Sequence, residues 1–183
     1  MNLDALQTFD KSILLAFNGG ENIFLDSFVL TLTSAYTWIP LYASLLYLVI
    51  KNNENWQKIM LIIGTVALGL FIVNGTNLGF SLLVRDRIFS ILMIVWSIIV
   101  SLTRPYLGVH YPSDVLVGMI FGSSVAVLIY FLYLRMYIRF SDKLHYISTK
   151  YTRTGYSFAD IDVVICVLIL SFIYAAFRAV LSI

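Results

Sequence analysis

The stretch from Val115 to Leu134, VLVGMIFGSSVAVLIYFLYL, holds 20 consecutive residues without a charge. An α-helix needs about 20 apolar residues to cross the ~30 Å hydrocarbon layer of a membrane, so this stretch predicts a transmembrane helix. The uncharged runs Phe28 to Ile50 and Ile59 to Val84 also reach that length, and the shorter runs Ile88 to Thr103 and Val163 to Phe177 reach it if a flanking arginine extends to the interface. The sequence therefore predicts an all-α fold, a polytopic transmembrane helix bundle with five apolar segments.

The composition of the whole chain agrees with that prediction. The 183 residues are 60% hydrophobic and 12% charged, about half the charge of a soluble domain, so lipid is the expected main solvent. We expect residues 1–183 to form a single membrane-embedded domain. A formal net charge of +2 without a basic stripe argues against nucleic-acid binding. The lone cysteine, Cys166, allows no internal disulfide and is interpreted as a buried thiol.

The N-terminal region predicts an interfacial amphipathic helix. It lacks the basic residues and short apolar core of a cleaved signal, so we expect the mature chain to begin here. The helix should end at Asn18-Gly19-Gly20. Its apolar residues recur at helical spacing: Leu3, Leu6, Phe9, Ile13, Leu14 and Phe17.

Positive charges predict the orientation of the bundle. Nine of the 12 Lys and Arg residues lie in three connections, around residues 51–58, 85–87 and 135–153, and the positive-inside rule places all three connections in the cytoplasm. The run Ile59 to Val84 conflicts with that placement, because a single crossing would separate Lys58 from Arg85. Either this run does not cross once or the charge rule fails here.

The middle of that run, Asn74-Gly75-Thr76-Asn77-Leu78-Gly79, has two interpretations. One is a continuous helix with a Gly-x-x-x-Gly packing face, a spacing that Gly118 and Gly122 repeat. The other is a re-entrant break at the Asn-Gly turn, which membrane proteins tolerate only beside protein or a watery cavity.

The segment RPYLGVHYPSDVLVG, residues 104–118, carries the chemistry. Pro112 and Ser113 are typical helix-start residues, so a helix should begin here and present the positive end of its dipole to a bound anion. Arg104 offers a planar fork of donors that matches phosphate oxygens. Asp114, four residues after His110, can hold one imidazole nitrogen and leave the other free as a base or nucleophile.

This segment resembles the third signature of the type 2 phosphatidic acid phosphatases, also called lipid phosphate phosphatases. The likeness includes Arg-x5-His-x3-Asp, the glycine two residues before the histidine, and the apolar helix that follows. The resemblance implies a catalytic pair, with His110 as the nucleophile that takes the phosphoryl group and Asp114 as the residue that orients it, and Arg104 as the phosphate-binding residue. It also implies a lipid phosphate or diphosphate substrate, no cofactor and no metal. Localisation should be the cytoplasmic (inner) membrane of a bacterium, with the site on the non-cytoplasmic side.

The chain departs from that family in two ways. The first signature, a lysine followed by Arg-Pro, and the second, Pro-Ser-Gly-His with its general acid, are absent, and His145 lies in a connection predicted to be cytoplasmic. Family members have six spans, so we expect an internally shortened relative whose run 59–84 joins the start of span two to the end of span three. Activity should then be weak or lost.

The competing interpretation is a non-catalytic membrane protein that binds anionic lipid headgroups through Arg104, the helix start, Tyr106 and Tyr111. Elsewhere we predict structural roles. Trp38 and Tyr36 should belong to an interfacial aromatic belt. Asp160 and Asp162 should cap the last helix.

Overall fold

Helices account for nearly all regular structure in the computed structural model, which describes residues 3–18, 22–53, 59, 81, 83–140, 149–152 and 154–182. In chain order these are α1 (Leu3–Asn18), α2 (Ile23–Thr33), a 3₁₀ turn (Ala35–Trp38), α3 (Ile39–Lys51), α4 (Arg87–Tyr106), α5 (Pro112–Phe140) and α6 (Phe158–Leu181). Among the described residues, β pairing is confined to one isolated bridge between Tyr151 and Ser157. The all-α prediction is confirmed at this level. The count of five segments stays a prediction, since most of the second run lies outside the described residues.

Two helices are long and apolar enough to cross a membrane, α4 and α6. A third span results if α2 and Ala35–Lys51 form one broken span, and Pro112–Leu128 of α5 is a shorter apolar stretch. Helix α6 buries one face against α2 and α3 and exposes another, which carries Leu170, Ile173 and Phe177. An apolar exposed face of this kind is what lipid requires of its neighbours. Cys166 belongs to an exposed position of α6, so the expectation of a buried thiol was wrong.

The first apolar run is bent rather than straight. Its two halves meet at 64°, and Ser34 at the junction has an extended backbone with ψ 126°. At the break the Ser34 N–H is shared between the Leu30 and Thr31 carbonyls, and side chains further along the run donate to carbonyls of α2 as well. Thr37 Oγ1 donates to the Thr31 carbonyl at 2.6 Å, and Trp38 Nε1 donates to the Leu32 carbonyl at 2.7 Å. The carbonyl groups at the bend are therefore hydrogen-bonded within the protein, as backbone groups in a membrane interior must be.

Trp38 lies at the centre of the bundle. It is buried, and its ring lies 5.0 Å from that of Trp96 on α4 and 5.5 Å from that of Phe172 on α6. The prediction of an interfacial position for Trp38 was wrong, because its indole N–H serves the bend inside the protein. Tyr36, two residues earlier, is 82% exposed.

The two buried tryptophans allow a matched test of the bend. Trp38→Phe should destabilise the protein by about 1–3 kcal/mol, because the Leu32 carbonyl loses its donor. Trp96→Phe should cost less, since Trp96 Nε1 has no hydrogen-bond partner in the described part of the chain. Thermal unfolding in detergent, followed by circular dichroism, measures both. Equal midpoints, or a larger loss in Trp96→Phe, would contradict this account of the bend.

A cluster of polar side chains, called the clasp below, joins the end of α3 to the start of α6 at one end of the bundle. It consists of Lys51, Asn52, Ser157 and Asp160. Asp160, on the first turn of α6, accepts hydrogen bonds from Lys51 Nζ at 2.7 Å and from Asn52 Nδ2 at 3.1 Å. Asn52 Oδ1 in turn accepts from the Ser157 backbone N–H at 2.8 Å. The N-cap of α6 is Ser157, whose side chain makes no capping bond. The prediction that Asp160 caps α6 was therefore wrong, because its carboxylate pairs with α3 instead.

Asp160 and Asp162 provide a second matched test. Asp160→Ala should lower the free energy of unfolding by about 1–2 kcal/mol, a modest value because the Lys51 side chain is 52% exposed and its charge partly screened. Asp162 is exposed, so Asp162→Ala should change stability by no more than about 0.5 kcal/mol. The same thermal unfolding assay compares them. Indistinguishable variants would show that the clasp adds nothing measurable.

The clasp also brings the two flanks of the second apolar run together. Asn53 Nδ2 lies 3.5 Å from the Tyr156 hydroxyl, and Thr154 Oγ1 donates to the Val84 carbonyl at 2.8 Å. Asn53 and Val84 thus lie at one end of the bundle. Four exposed cations lie at or beside this clasp: Lys51, Arg85, Arg87 and Lys150. This agrees with the charge rule at the two flanks, while the path of run 59–84 between them lies outside the described residues, so whether the run crosses once stays open.

Candidate active site

The C-terminal end of α4 is closed by two backbone hydrogen bonds and a left-handed glycine. Gly108 has φ +69°, a left-handed conformation that favours glycine. The Val109 N–H donates to the Arg104 carbonyl at 3.2 Å, and the Gly108 N–H donates to the Pro105 carbonyl at 3.1 Å. These two bonds form a Schellman motif, which satisfies carbonyls at the helix end. The motif holds the backbone of Val109, the residue directly before His110, against the backbone of Arg104.

Helix α5 begins at Pro112, as predicted, but its first turn already has an anionic partner. Asp10 of α1 accepts a hydrogen bond from the Ser113 backbone N–H at 3.3 Å and a short one from Ser113 Oγ. A carboxylate at this position satisfies a free N–H group and complements the helix dipole. The expectation that the α5 start faces an external anion is thus corrected, since an internal carboxylate bonds the Ser113 N–H.

A second contact ties α2 to the same end of the bundle. The Tyr106 hydroxyl, on the last residue of α4, donates to Asp26 Oδ1 at 2.8 Å. Asp26 lies in the first turn of α2, which begins after Asn22, whose side chain accepts from the Leu25 N–H at 3.2 Å. Helices α1, α2, α4 and α5 therefore meet where Arg104 and His110 lie.

The three side chains predicted to form the site lie at the end of α4, in the connection to α5 and in the first turn of α5, a unit called the α4–α5 hairpin below. All three can be reached from solvent. His110 and Asp114 are exposed, and Arg104 is half-buried. Among the described residues, no hydrogen bond or ion pair joins any two of them, so the orienting contact between Asp114 and His110 stays a prediction. Catalytic hydrogen bonds commonly tighten only once substrate is bound. The imidazole is exposed and the guanidinium half-buried, so both can be reached from solvent.

Sequence reasoning missed Asp10 and Asp26. Asp10 had a usable signal, because it falls four residues after Leu6 and three before Ile13, on the apolar side of an amphipathic helix. A carboxylate on such a face needs a partner. Asp26 had no comparable signal. Its contact with Tyr106 joins residues 80 positions apart.

Metal ligands do not gather in the part of the chain that the structure describes. No group of three or more His, Cys, Asp or Glu side chains there could hold a metal ion.

The fold and the hairpin define a helical membrane protein with a candidate phosphate site at one end of the bundle. The family model of the PAP2 superfamily matches residues 31–138, more than half of the chain, and the chain belongs to that superfamily. This confirms the resemblance to the type 2 phosphatidic acid phosphatases. It supports an integral membrane protein of phosphatase type, a hydrolase class.

One curated relative matches over much of its length. The chain is 29% identical over 179 residues to the lipid A 4'-phosphatase of Bacteroides thetaiotaomicron, a match that covers 71% of this chain and 79% of the relative. Since 71% of 183 residues is about 130, the relative carries residues in the aligned region that have no counterpart here. No solved structure matches the chain significantly.

Proposed function

We propose that this chain hydrolyses a lipid phosphate or diphosphate through a phosphohistidine intermediate, with activity reduced by the loss of two signatures. The observation that carries the proposal is the backbone motif between α4 and α5, in which the Val109 N–H donates to the Arg104 carbonyl and so keeps the backbone of the residue before His110 beside that of Arg104. The family and the lipid A 4'-phosphatase relative support a lipid phosphate as substrate. Each proposed role rests on the residue type and its position in this hairpin.

The proposed reaction has two displacement steps. A ring nitrogen of His110 attacks the terminal phosphorus, and the P–O bond to the leaving group breaks. The leaving group is the lipid alcohol of a monophosphate or the lipid monophosphate of a diphosphate, and it takes any proton it needs from solvent. Water then attacks the phosphohistidine, releasing inorganic phosphate and restoring the imidazole. Arg104 neutralises charge on the equatorial oxygens, and Asp114 stabilises the cationic ring. Both steps conserve the phosphoryl group and need no redox partner.

Reduced activity follows from what this sequence lacks. A positioned general acid contributes about a hundredfold or more to such a reaction, and the second signature that would supply it is absent. The second histidine, His145, lies outside the described residues. A complete site also uses several cations to neutralise the transferred phosphoryl group. Here Arg104 is the proposed phosphate ligand, so slow turnover is the expected result.

We further propose that the chain is an internally shortened member of its family. Two observations support this proposal: Asn53 and Val84 lie at the same bundle end, and the curated relative has residues without a counterpart in the aligned region. Exposed cations at that end support a cytoplasmic placement there. The candidate site would then face the non-cytoplasmic side of the inner membrane.

Cysteine accessibility tests this topology. In a Cys166→Ser background, Glu54→Cys and Arg87→Cys should react equally with an impermeant thiol reagent, and Val109→Cys should react from the opposite side. Val109 is 58% exposed and Arg87 is also exposed, so burial does not limit either reaction. Opposite accessibility of positions 54 and 87 would mean a single crossing and would refute the shortened topology.

Phosphate release tests the function itself. Purified protein should release phosphate slowly from phosphatidic acid, phosphatidylglycerophosphate, undecaprenyl diphosphate or lipid A, and radiolabelled substrate should leave an acid-labile, alkali-stable phosphoenzyme. Turnover near ordinary enzyme rates, about 10 s⁻¹, would overturn the proposed impairment. Release without any phosphoenzyme in a rapid quench would overturn the phosphohistidine route.

The second candidate function is binding of anionic lipid headgroups without catalysis. Arg104 favours it, because within the described residues its guanidinium has no ion-pair partner and remains available to a phosphate. Tyr111, in the connection between α4 and α5, is exposed, whereas the Tyr106 hydroxyl already bonds to Asp26. A binder would bind vesicles containing phosphatidic acid and release no phosphate from them.

A further inference from the structure

Asp10 of α1 is a buried carboxylate. It is 8% exposed, although Phe9 before it is 61% exposed and Lys11 after it is also exposed. Helix α1 packs against both α4 and α5, the two helices that carry the candidate site. The helix therefore turns this one carboxylate inward, toward the mouth of the bundle.

The partner of Asp10 lies inside the site motif. Both carboxylate oxygens bond to Ser113, Oδ1 accepting from its backbone N–H and Oδ2 from its hydroxyl. Ser113 stands directly before Asp114 and three residues after His110. A residue 103 positions away along the chain thus fixes the first turn of the helix on which Asp114 lies.

The two ends of the loop that carries His110 are held by different means. On the α4 side, the bond from the Val109 N–H to the Arg104 carbonyl holds the loop. On the α5 side, the helix must not fray, and its first N–H groups have no intrahelical acceptors. Asp10 supplies an acceptor from outside the helix. Loosening that end would let His110 and Asp114 move relative to Arg104.

We propose that Asp10 is a positioning residue, which fixes the start of α5 and with it the placement of His110 and Asp114 against Arg104. The expected effect of Asp10 on catalysis rests on the proposed function. The expected effect on the start of α5 rests on the Asp10–Ser113 contact alone. Among the described residues, the Asp10 side chain bonds to Ser113 and to none of His110, Asp114 and Arg104. Neither family membership nor the motif assigns Asp10 a role.

The test compares Asp10→Ala, Asp10→Asn and the matched control Lys11→Ala in the full-length protein. Hydrogen–deuterium exchange should be about tenfold faster or more at residues 113–117 in Asp10→Ala, with α6 unchanged. Asp10→Asn, whose amide oxygen can still accept from Ser113, should restore most of the protection. Lys11→Ala should match the wild type. Unchanged exchange in Asp10→Ala would overturn the proposal, as would equal acceleration across α6, which would signal general destabilisation.

Kinetics supply the second readout. With phosphatidic acid as substrate, Asp10→Ala should lower kcat roughly tenfold to a hundredfold while KM stays within about twofold, because misplacement of reacting groups weakens the chemical step. An active wild type with unchanged kcat in Asp10→Ala would overturn the proposal. A wild type that releases no phosphate would refute the proposed function instead. In that case faster exchange at residues 113–117 would still support the positioning of α5 by Asp10.

Discussion

His110→Ala is expected to reduce phosphate release on the order of a thousandfold or more, the largest functional effect of any single substitution in this chain. Without the imidazole no phosphohistidine can form, and water would have to attack the lipid phosphate directly. Arg104 would still bind phosphate oxygens, so affinity for the lipid should change little. The imidazole is exposed at the α4–α5 hairpin, so its removal should cost almost nothing in stability.

Single-turnover release of labelled phosphate, together with trapping of the phosphoenzyme, measures this effect. His145→Ala is the matched control, because it removes the other histidine of the chain. His145→Ala should leave both signals unchanged, and His110→Ala should abolish both. A variant lacking His110 that still turns over at the wild-type rate would exclude His110 as the nucleophile.

Arg104→Ala is expected to lower kcat/KM by about a hundredfold or more. The guanidinium is the proposed ligand of the equatorial phosphate oxygens, and a donor aimed at developing charge is worth roughly that factor. Arg104→Lys should recover part of the loss, since it keeps the charge and loses the planar fork that grips two oxygens. The backbone lock between Arg104 and Val109 involves the carbonyl and so survives both substitutions.

Arg87→Ala is the control for charge. Arg87 is exposed at the start of α4, at the clasp end, so its removal should leave kcat/KM unchanged. Equal losses in Arg87→Ala and Arg104→Ala would mean that overall charge, rather than a local contact, governs activity.

The same variants separate catalysis from binding. If the chain only binds headgroups, Arg104→Ala should weaken its binding to vesicles containing phosphatidic acid, and His110→Ala should leave that binding intact. If the chain is a phosphatase, His110→Ala should lose turnover and keep its affinity. The pair of substitutions therefore gives opposite patterns for the two functions.

Sequence reasoning succeeded where the physical cause is local. The start of α5 at Pro112 was predicted from helix-start residues, and the glycine two residues before His110, which belongs to the motif, has the left-handed backbone that ends α4. Family membership followed from a motif of contiguous residues. Each of these features depends on a few neighbours along the chain, so the sequence alone can carry it.

It failed where distant residues meet. The bend at Ser34 lies in an uncharged run. Apolar composition predicts that such a run lies in lipid, but it does not predict where the helix changes direction. Trp38 was expected at the interface as an aromatic residue near the end of an apolar run, yet its N–H group bonds to the Leu32 carbonyl inside the bundle. Asp160 pairs with a lysine 109 positions away, a partner that no local pattern identifies.

The α4 end of the α4–α5 hairpin draws its shape from consecutive residues, a glycine turn and two backbone bonds, and α5 begins at a proline. Beyond these neighbours, the described contact that holds the α5 end is the one with Asp10 of α1. Genetic loss of other segments can therefore spare the hairpin, and a degenerating gene would keep this motif recognisable long after its enzyme had ceased to work. In such a lineage the motif indicates common ancestry, and catalytic activity has to be measured separately.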